Sequence, residues 1–182
     1  MGEGEWAAAK HGGKGRRGWK KLHLGVDAAG VIVAQSLTDG SAHDASEGLG
    51  LLASVKQELA TLTGDGAYDS VTIYKAANTR GARVVVPPSK VAARPRRRMP
   101  KSAERDRVIE RVREVGRRRW KQESGYHRQG RVENTFSRWK SIIGGRLRAR
   151  HPGAQTTEAV IACSVLNRMF EMGRPRSVPI PR

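Results

Sequence analysis

The sequence has little of several residue types, and each scarcity excludes a class of protein. A single cysteine, Cys163, excludes an intrachain disulfide framework and a zinc site built from cysteines. No apolar run approaches the roughly 18 residues that a membrane-spanning helix needs. The first residues, MGEGEWAAAKHGG, lack the apolar segment of a secretory signal peptide. These features predict a soluble, cytoplasmic protein.

Acidic residues are scarce relative to basic ones. The 182 residues include 35 Lys and Arg against 17 Asp and Glu, which gives a formal net charge of +18. A charge of this size indicates a polyanionic partner, and we expect nucleic acid. Hydrophobic residues make up 37% of the chain and recur with regular periods, so we expect a folded domain rather than a disordered chain.

The order of the predicted elements favours an α/β architecture. Alternating apolar residues predict a β-hairpin at 19–37 with its turn at 27–30. The elements predicted downstream are a helix at 44–59 capped by Asp44, a strand at 60–63, a helix at 70–79, a strand at 83–87, and helices at 103–121, 130–143 and 156–172. Alternation of helices and strands is typical of layered α/β domains. We therefore predict one domain at 1–172, followed by a basic, proline-rich tail at 173–182.

A glycine-flanked aspartate follows the strand predicted at 60–63. The segment from Thr63 to Asp69 reads TGDGAYD, and Asp65 stands between its two glycines. Ligands of α/β domains collect at the carboxyl ends of strands, and Mg²⁺ favours carboxylates together with phosphate oxygens. Asp65 is therefore a candidate metal ligand. The alternative is that Asp65 and Asp69 only form a turn, with Asp69 capping the next helix.

Charged residues recur on one side of the helix predicted at 130–143. Glu133, Ser137 and Lys140 are spaced so that they share one helical face. The same helix is predicted to carry an apolar stripe of Val132, Phe136, Trp139 and Ile143. A carboxylate beside this stripe suits a metal ion, and a lysine two turns along suits a phosphate group. The alternative is a solvated surface with weak charge pairing.

Arginines are concentrated between residues 94 and 119. They include Arg96, Arg97 and Arg98 in a proline-containing loop, and others on several faces of the helix predicted at 103–121. We favour a surface that contacts nucleic-acid phosphates, a mode of binding that is independent of base sequence and sensitive to salt. The alternative is a helix exposed on several faces.

Two tryptophans, Trp19 and Trp120, stand among these basic residues. Each of them is predicted either to stack on nucleic-acid bases or to form cation–π contacts with its basic neighbours. The histidines show no spacing typical of a zinc site.

Several segments together resemble one protein family. In chain order they are GEGEW at 2–6, WKKLHLGVD at 19–27, TGDGAYD at 63–69, RVVVPP at 83–88 and SGYHRQGRVE at 124–133. On these segments the chain resembles the DDE transposases of bacterial insertion sequences, in the group named after insertion sequence five. The resemblance extends over about residues 2–172.

The resemblance implies a fold, a cofactor and a substrate. The fold is ribonuclease-H-like, with a mixed sheet flanked by helices and a helical C-terminal part. The activity is cleavage and joining of DNA at transposon ends, with Mg²⁺, or Mn²⁺ in its place, held by three carboxylates. Asp65 matches the second carboxylate and Glu133 the third. Tyr126 and Lys140 match residues that contact DNA phosphates near the cleaved bond.

The chain departs from the family pattern at two points. Gln129 stands where the family has an arginine, and Arg128 and Arg131 are candidate substitutes. Neighbouring helical residues point about 100° apart, which weakens that substitution. The family's first carboxylate lies on a strand upstream of GEGEW. We therefore expect the catalytic domain to be truncated at its N-terminus and to lack that carboxylate.

Three hypotheses follow from this comparison. The first is a transposase catalytic part that is inactive alone and needs an upstream segment, supplied by translational frameshifting or by a separate chain. The second is a non-catalytic remnant, or a competitor that binds DNA through its basic surface. The third is a general basic nucleic-acid-binding protein, which leaves Asp65 and Glu133 unexplained. The resemblance also implies a homodimer or larger assembly at the bacterial nucleoid.

Overall fold

A computed structural model describes residues 19–90, 92 and 102–173. The predicted DNA-contacting residues Arg96, Arg97 and Arg98 lie outside these ranges, as does nearly all of the predicted tail. The strands of the described part are β1 (Lys20–Val26), β2 (Ile32–Asp39), β3 (Thr61–Thr63) and β4 (Arg83–Val85). Its α-helices are α1 (Asp44–Ser54), α2 (Val71–Thr79), α3 (Ala103–Val115), α4 (Arg117–Ser124), α5 (Gly130–Ile142) and α6 (Pro152–Glu171).

The predicted β-hairpin is confirmed. Strands β1 and β2 pair antiparallel, from Lys20 opposite Asp39 to Val26 opposite Ile32. At the turn, the Asp27 carboxylate accepts hydrogen bonds from three successive backbone N–H groups, each at 2.9 Å. Aspartate favours turns for this reason, because its side chain satisfies backbone donors that the strands cannot reach.

One core cluster lies between the hairpin and the two C-terminal helices. Leu24 and Ile32 from the hairpin pack with Trp139 from α5 and Leu166 from α6. Phe136 packs against the cluster, so the apolar stripe predicted for α5 is confirmed. Burying each large apolar side chain contributes about 1.5–3 kcal/mol. This cluster therefore fixes α5, and the residues on its outer face, against the hairpin.

The second face of the hairpin is also covered. Helix α1 contacts both β1 and β2, and His23 is buried between them. The His23 ring forms a 2.9 Å hydrogen bond with the Thr38 hydroxyl and lies 3.9 Å from the Asp44 carboxylate. Helix α1 therefore packs on the side of the hairpin that carries His23, opposite the side that carries Leu24.

A second core cluster surrounds the parallel pair of β3 and β4. Tyr74 and Ala77 from α2 pack there with Val84 and Val86, and Leu52 of α1 completes the cluster. Helix α1 thus contributes to this cluster while its other contacts reach the hairpin. The described strands form two separate two-stranded sheets, one antiparallel and one parallel. The predicted α/β class, with sheets flanked by helices, is confirmed.

The ends of α1 differ from the prediction. Asp44 was predicted as the N-cap, but His43 occupies that position and Asp44 is the first helical residue. The Asp44 carboxylate instead accepts a 3.4 Å hydrogen bond from Lys21, on the neighbouring strand. The helix ends at Ser54 rather than near 59, because Val55 has an extended backbone. Contacts with the hairpin outweigh the local capping pattern here.

The helix predicted at 103–121 is divided in two. Gly116 has a φ of +81°, a conformation that ends α3 and that residues with a side chain rarely adopt. Helix α4 therefore leaves in a new direction, and Trp120 on it becomes buried at 4% exposure. Stacking of Trp120 on nucleic-acid bases is thereby excluded in this conformation. Trp19, in contrast, is exposed.

The last helix begins four residues earlier than predicted. Pro152 stands in its first turn, where a missing N–H costs nothing. The His151 ring nitrogen Nδ1 caps the helix by accepting a 3.2 Å hydrogen bond from the Gly153 N–H. Within the described ranges, no helix is both long and apolar enough to cross a membrane.

Candidate active site

The loop after β3 carries Asp65 at the carboxyl end of the strand, as predicted. Asp65 is exposed, and its Oδ1 accepts a 2.9 Å hydrogen bond from the Ala67 N–H. This bond begins a short 3₁₀ turn over Gly66–Tyr68. Asp65 therefore does form a turn, as the alternative interpretation held. Because the carboxylate is also exposed, the turn does not exclude a metal-binding role.

The ring of Tyr68 holds this loop against α1. A Cβ placed on Gly48 would lie 2.7 Å from Cδ1 of the ring, and one placed on Gly64 would lie 3.2 Å from Cδ2. The ring is therefore seated between two glycines that leave it room. Burial raises the pKa of Tyr68 to about 12, and the negative charges of Asp44, Asp65 and Glu47 add to the effect. These carboxylates thus converge on one phenol.

Asp69 does not cap α2, which corrects the prediction. The N-cap is Ser70, whose hydroxyl accepts from the Ile73 N–H. The fully buried Asp69 carboxylate instead forms two hydrogen bonds with the Arg105 guanidinium, of 2.7 and 2.8 Å. It also accepts a 2.9 Å bond from the Ser89 N–H. Hydrogen bonding to Asp69 raises the pKa of Arg105, which keeps the guanidinium charged.

The 3₁₀ turn Tyr126–Gln129, between α4 and α5, contacts β3. Burial raises the pKa of Tyr126, and the charges of Asp65 and Glu133 raise it further, while Arg117 lowers it. One phenol therefore senses both predicted carboxylates, although they are 68 positions apart in the sequence. Tyr126 is itself held by the Lys121 ammonium, 4.7 Å from the centre of its ring.

The predicted polar face of α5 is exposed. Glu133, Ser137 and Lys140 all lie on the solvent side of the helix, opposite Trp139. Arg131 is exposed on the same helix and Arg128 in the turn before it. Gln129 is half-buried, and its Oε1 atom is buried without a hydrogen-bond partner among the described residues. Arg128 and Arg131, rather than Gln129, are therefore available to a phosphate in solution.

The turn of Tyr126 contacts the strand that leads into Asp65, and the charges that act on Tyr126 include that of Arg117, which the sequence analysis did not single out. Arg117 also donates a 2.6 Å hydrogen bond to the Pro88 carbonyl. In the sequence it is one arginine of three in succession, so no local pattern distinguishes it. In the described part of the chain, no group of three or more His, Cys, Asp or Glu side chains is arranged to hold a metal ion.

Comparison with known proteins identifies the family. The model of a transposase DDE domain matches residues 1–168, and the chain therefore belongs to the DDE transposase family. The family resemblance is confirmed by this match. Membership gives a transposase function, with DNA as substrate and a dependence on divalent metal. No solved structure matches the chain. The narrower group named after insertion sequence five stays a prediction.

Proposed function

We propose that this chain is the catalytic part of an insertion-sequence transposase with a ribonuclease-H-like fold. In this proposal it cleaves and joins DNA at transposon ends, and Asp65 and Glu133 provide two of the metal-binding carboxylates. The observation that carries the proposal is the contact between strand β3, which leads into Asp65, and the turn of Tyr126, which leads into the helix of Glu133. The charges of both carboxylates also raise the pKa of Tyr126. These two observations support a single site for Asp65 and Glu133.

The two carboxylates fit Mg²⁺ in type but not in number. Asp65 and Glu133 are exposed oxygen donors, which Mg²⁺ prefers, and it commonly completes its coordination with water and phosphate oxygens. The family pattern implies a third carboxylate, and the described residues group no three acidic or histidine ligands. When bound, the ion would stabilise negative charge on the reacting oxygens. We expect this chain alone to be inactive in strand transfer until a third carboxylate joins the site.

The surroundings of the carboxylates suit a DNA backbone. Arg128, Arg131 and Lys140 are exposed on the turn and helix that carry Tyr126 and Glu133. Arginine and lysine at this position would neutralise the phosphates beside the cleaved bond. The proposal also includes Arg96, Arg97 and Arg98, which the sequence analysis predicted to contact DNA phosphates. The non-catalytic alternative, a remnant or competitor that binds DNA through its basic surface, uses the same cations without the carboxylates.

Direct metal binding tests the site without requiring activity. We expect the wild-type chain to bind Mn²⁺, and we expect Asp65→Asn and Glu133→Gln to bind it more weakly. Binding is measured by the decrease in the electron paramagnetic resonance signal of unbound Mn²⁺. Glu114→Gln is the matched control, because Glu114 is an exposed helical glutamate that pairs with Arg111. Equal Mn²⁺ binding by all four proteins would contradict the proposed site and favour the non-catalytic alternative.

Salt dependence tests the DNA surface. The slope of log affinity against log salt falls by about 0.9 for each phosphate contact that is removed. The triple variant Arg128→Gln, Arg131→Gln, Lys140→Gln should therefore bind duplex DNA with a slope shallower by about 2–3. Arg168→Gln is the control that should leave the slope unchanged, because Arg168 lies on α6 and is paired with Glu171. An unchanged slope in the triple variant would place the DNA elsewhere.

A further inference from the structure

The two proposed catalytic carboxylates stand on different core clusters. Asp65 follows strand β3, which packs against the cluster of Tyr74 and Val84 through Leu62. Glu133 lies on α5, which the cluster of Trp139 and Leu24 fixes against the hairpin. Neither cluster by itself sets the distance between the carboxylates. That distance depends on the elements that connect the two clusters.

Helix α1 is one such connection, the contact of the Tyr126–Gln129 turn with β3 is a second, and the pair α3–α4 is a third. Helix α3 is attached to β4 by Glu104, whose Oε1 accepts a 3.0 Å hydrogen bond from the Val84 N–H. Helix α4 is attached to α3 by Arg111, which holds Glu123 at 2.9 Å. At its far end α4 contacts the turn that carries Tyr126, with Trp120 6.3 Å from the Tyr126 ring centre. The path from β4 to the Glu133 side is therefore continuous.

The Asp69–Arg105 ion pair joins this path to the loop of Asp65. The Asp69 side chain is 0% exposed and that of Arg105 14% exposed, so the pair is shielded from water. Asp69 also closes the 3₁₀ turn, since its N–H donates to the Gly66 carbonyl at 3.3 Å. A buried bidentate ion pair fixes the relative position of its two side chains, and removal of one partner leaves the other charge buried and unpaired.

We propose that Arg105 is a positioning residue, which holds the 64–70 loop through Asp69 and thereby places Asp65 relative to Glu133. The proposal rests on the proposed function for its link to metal, but the positioning of the loop stands on the contacts alone. Arg105 touches neither carboxylate, so its influence passes entirely through Asp69. An arginine holds Asp69 better than a lysine would, because lysine cannot form the two parallel bonds.

The test compares two arginines that pair with a carboxylate. Arg105→Gln and Arg168→Gln each remove one positive charge and one ion pair. Arg168 pairs with Glu171 at the exposed surface of α6 and belongs to none of the connections named above, which makes Arg168→Gln the control. Hydrogen exchange of the 64–70 peptide is the first readout, with a peptide from 132–142 reporting on global unfolding. Mn²⁺ affinity is the second readout.

We expect Arg105→Gln to accelerate exchange in 64–70 while 132–142 stays protected, and to weaken Mn²⁺ binding by roughly tenfold, as loss of an outer-shell partner does. Arg105→Lys should recover part of both effects, and Arg168→Gln should change neither. Unchanged exchange in Arg105→Gln would overturn the proposal. So would faster exchange with unaltered Mn²⁺ affinity, because the pair would then not position Asp65.

The failure of the proposed function would look different. If Asp65→Asn itself left Mn²⁺ binding intact, the metal site would be wrong, whatever Arg105 does. The exchange of 64–70 in Arg105→Gln would still decide whether the ion pair holds the loop. If exchange rose equally in 64–70 and 132–142, the role of Arg105 would be general stability, and the positioning role would be refuted.

Discussion

The close approach of the Tyr68 ring to Gly48 gives a sharp test of how the Asp65 loop is held. Helix α1 contains two interior glycines, Gly48 and Gly50, that differ in their surroundings. Gly48 is buried, and a Cβ there would lie 2.7 and 2.9 Å from two carbons of the Tyr68 ring. Gly50 is exposed, and a Cβ there would meet nothing within 4 Å. The same substitution should therefore have opposite effects at the two positions.

The expected magnitudes follow from two terms. Replacing a helical glycine by alanine stabilises a helix by about 1 kcal/mol, and both variants gain this term. Overpacking a core costs about 1–3 kcal/mol, and only Gly48→Ala bears this cost because carbon atoms do not approach to 2.7 Å. The difference between the two variants isolates the cost. At about 2–4 °C per kcal/mol for a chain of this size, the two melting temperatures should differ by roughly 2–12 °C.

The assay is thermal unfolding followed by circular dichroism, with both variants beside the wild type. Gly50→Ala should melt above the wild type and Gly48→Ala at or below it. Combining Gly48→Ala with Tyr68→Ala should remove the difference in part, because the clash needs both groups. If Gly48→Ala instead melted as high as Gly50→Ala, the ring would not be seated on the helix, and the argument that α1 holds the loop would be refuted.

Two further predictions concern stability. Asn167→Ala should lower the free energy of unfolding by about 2–3 kcal/mol, because the half-buried Asn167 side chain forms two hydrogen bonds with the Ile32 backbone, each 2.8 Å. Urea unfolding measures this free energy. The control is Asn134→Ala at an exposed helical position, which makes the same change in helix propensity and should alter the free energy of unfolding little. In alkaline solution, stability should be complete below pH 10 and decline as pH rises towards 12, because folding raises the pKa of Tyr68 to about 12. Tyr68→Phe should lose stability less steeply over that range, and an identical pH profile would contradict the shift.

Much of the fold was predictable because its signals are local. The alternation in β1 and β2, with Asp27 at the turn, depends on residues close in sequence, and the hairpin formed as predicted. The position of Asp65 at a strand end was predicted from the same kind of evidence, since flanking glycines and a preceding apolar run are adjacent to it. The exposed face of α5 follows from helical spacing alone.

The predictions that were wrong concern side chains whose partners are distant in the sequence. Asp69 was predicted as a helix cap, which its position before α2 permits, but a partner 36 positions away in α3 takes its carboxylate. Trp120 was placed among cations by its neighbours, whereas the break at Gly116 turns it inward. Neither outcome is encoded in a local window, because both depend on how helices pack after they form.

The charge, the α/β class, the hairpin and the membership of a DDE transposase family could all be predicted from the sequence, because each depends on composition, short periods or a linear motif. The contact of the Tyr126 turn with β3, the Arg105–Asp69 pair and the seat of the Tyr68 ring against Gly48 became visible only in the folded chain. The physical reason is that packing of two core clusters, rather than any local propensity, sets which side chains from distant elements become neighbours.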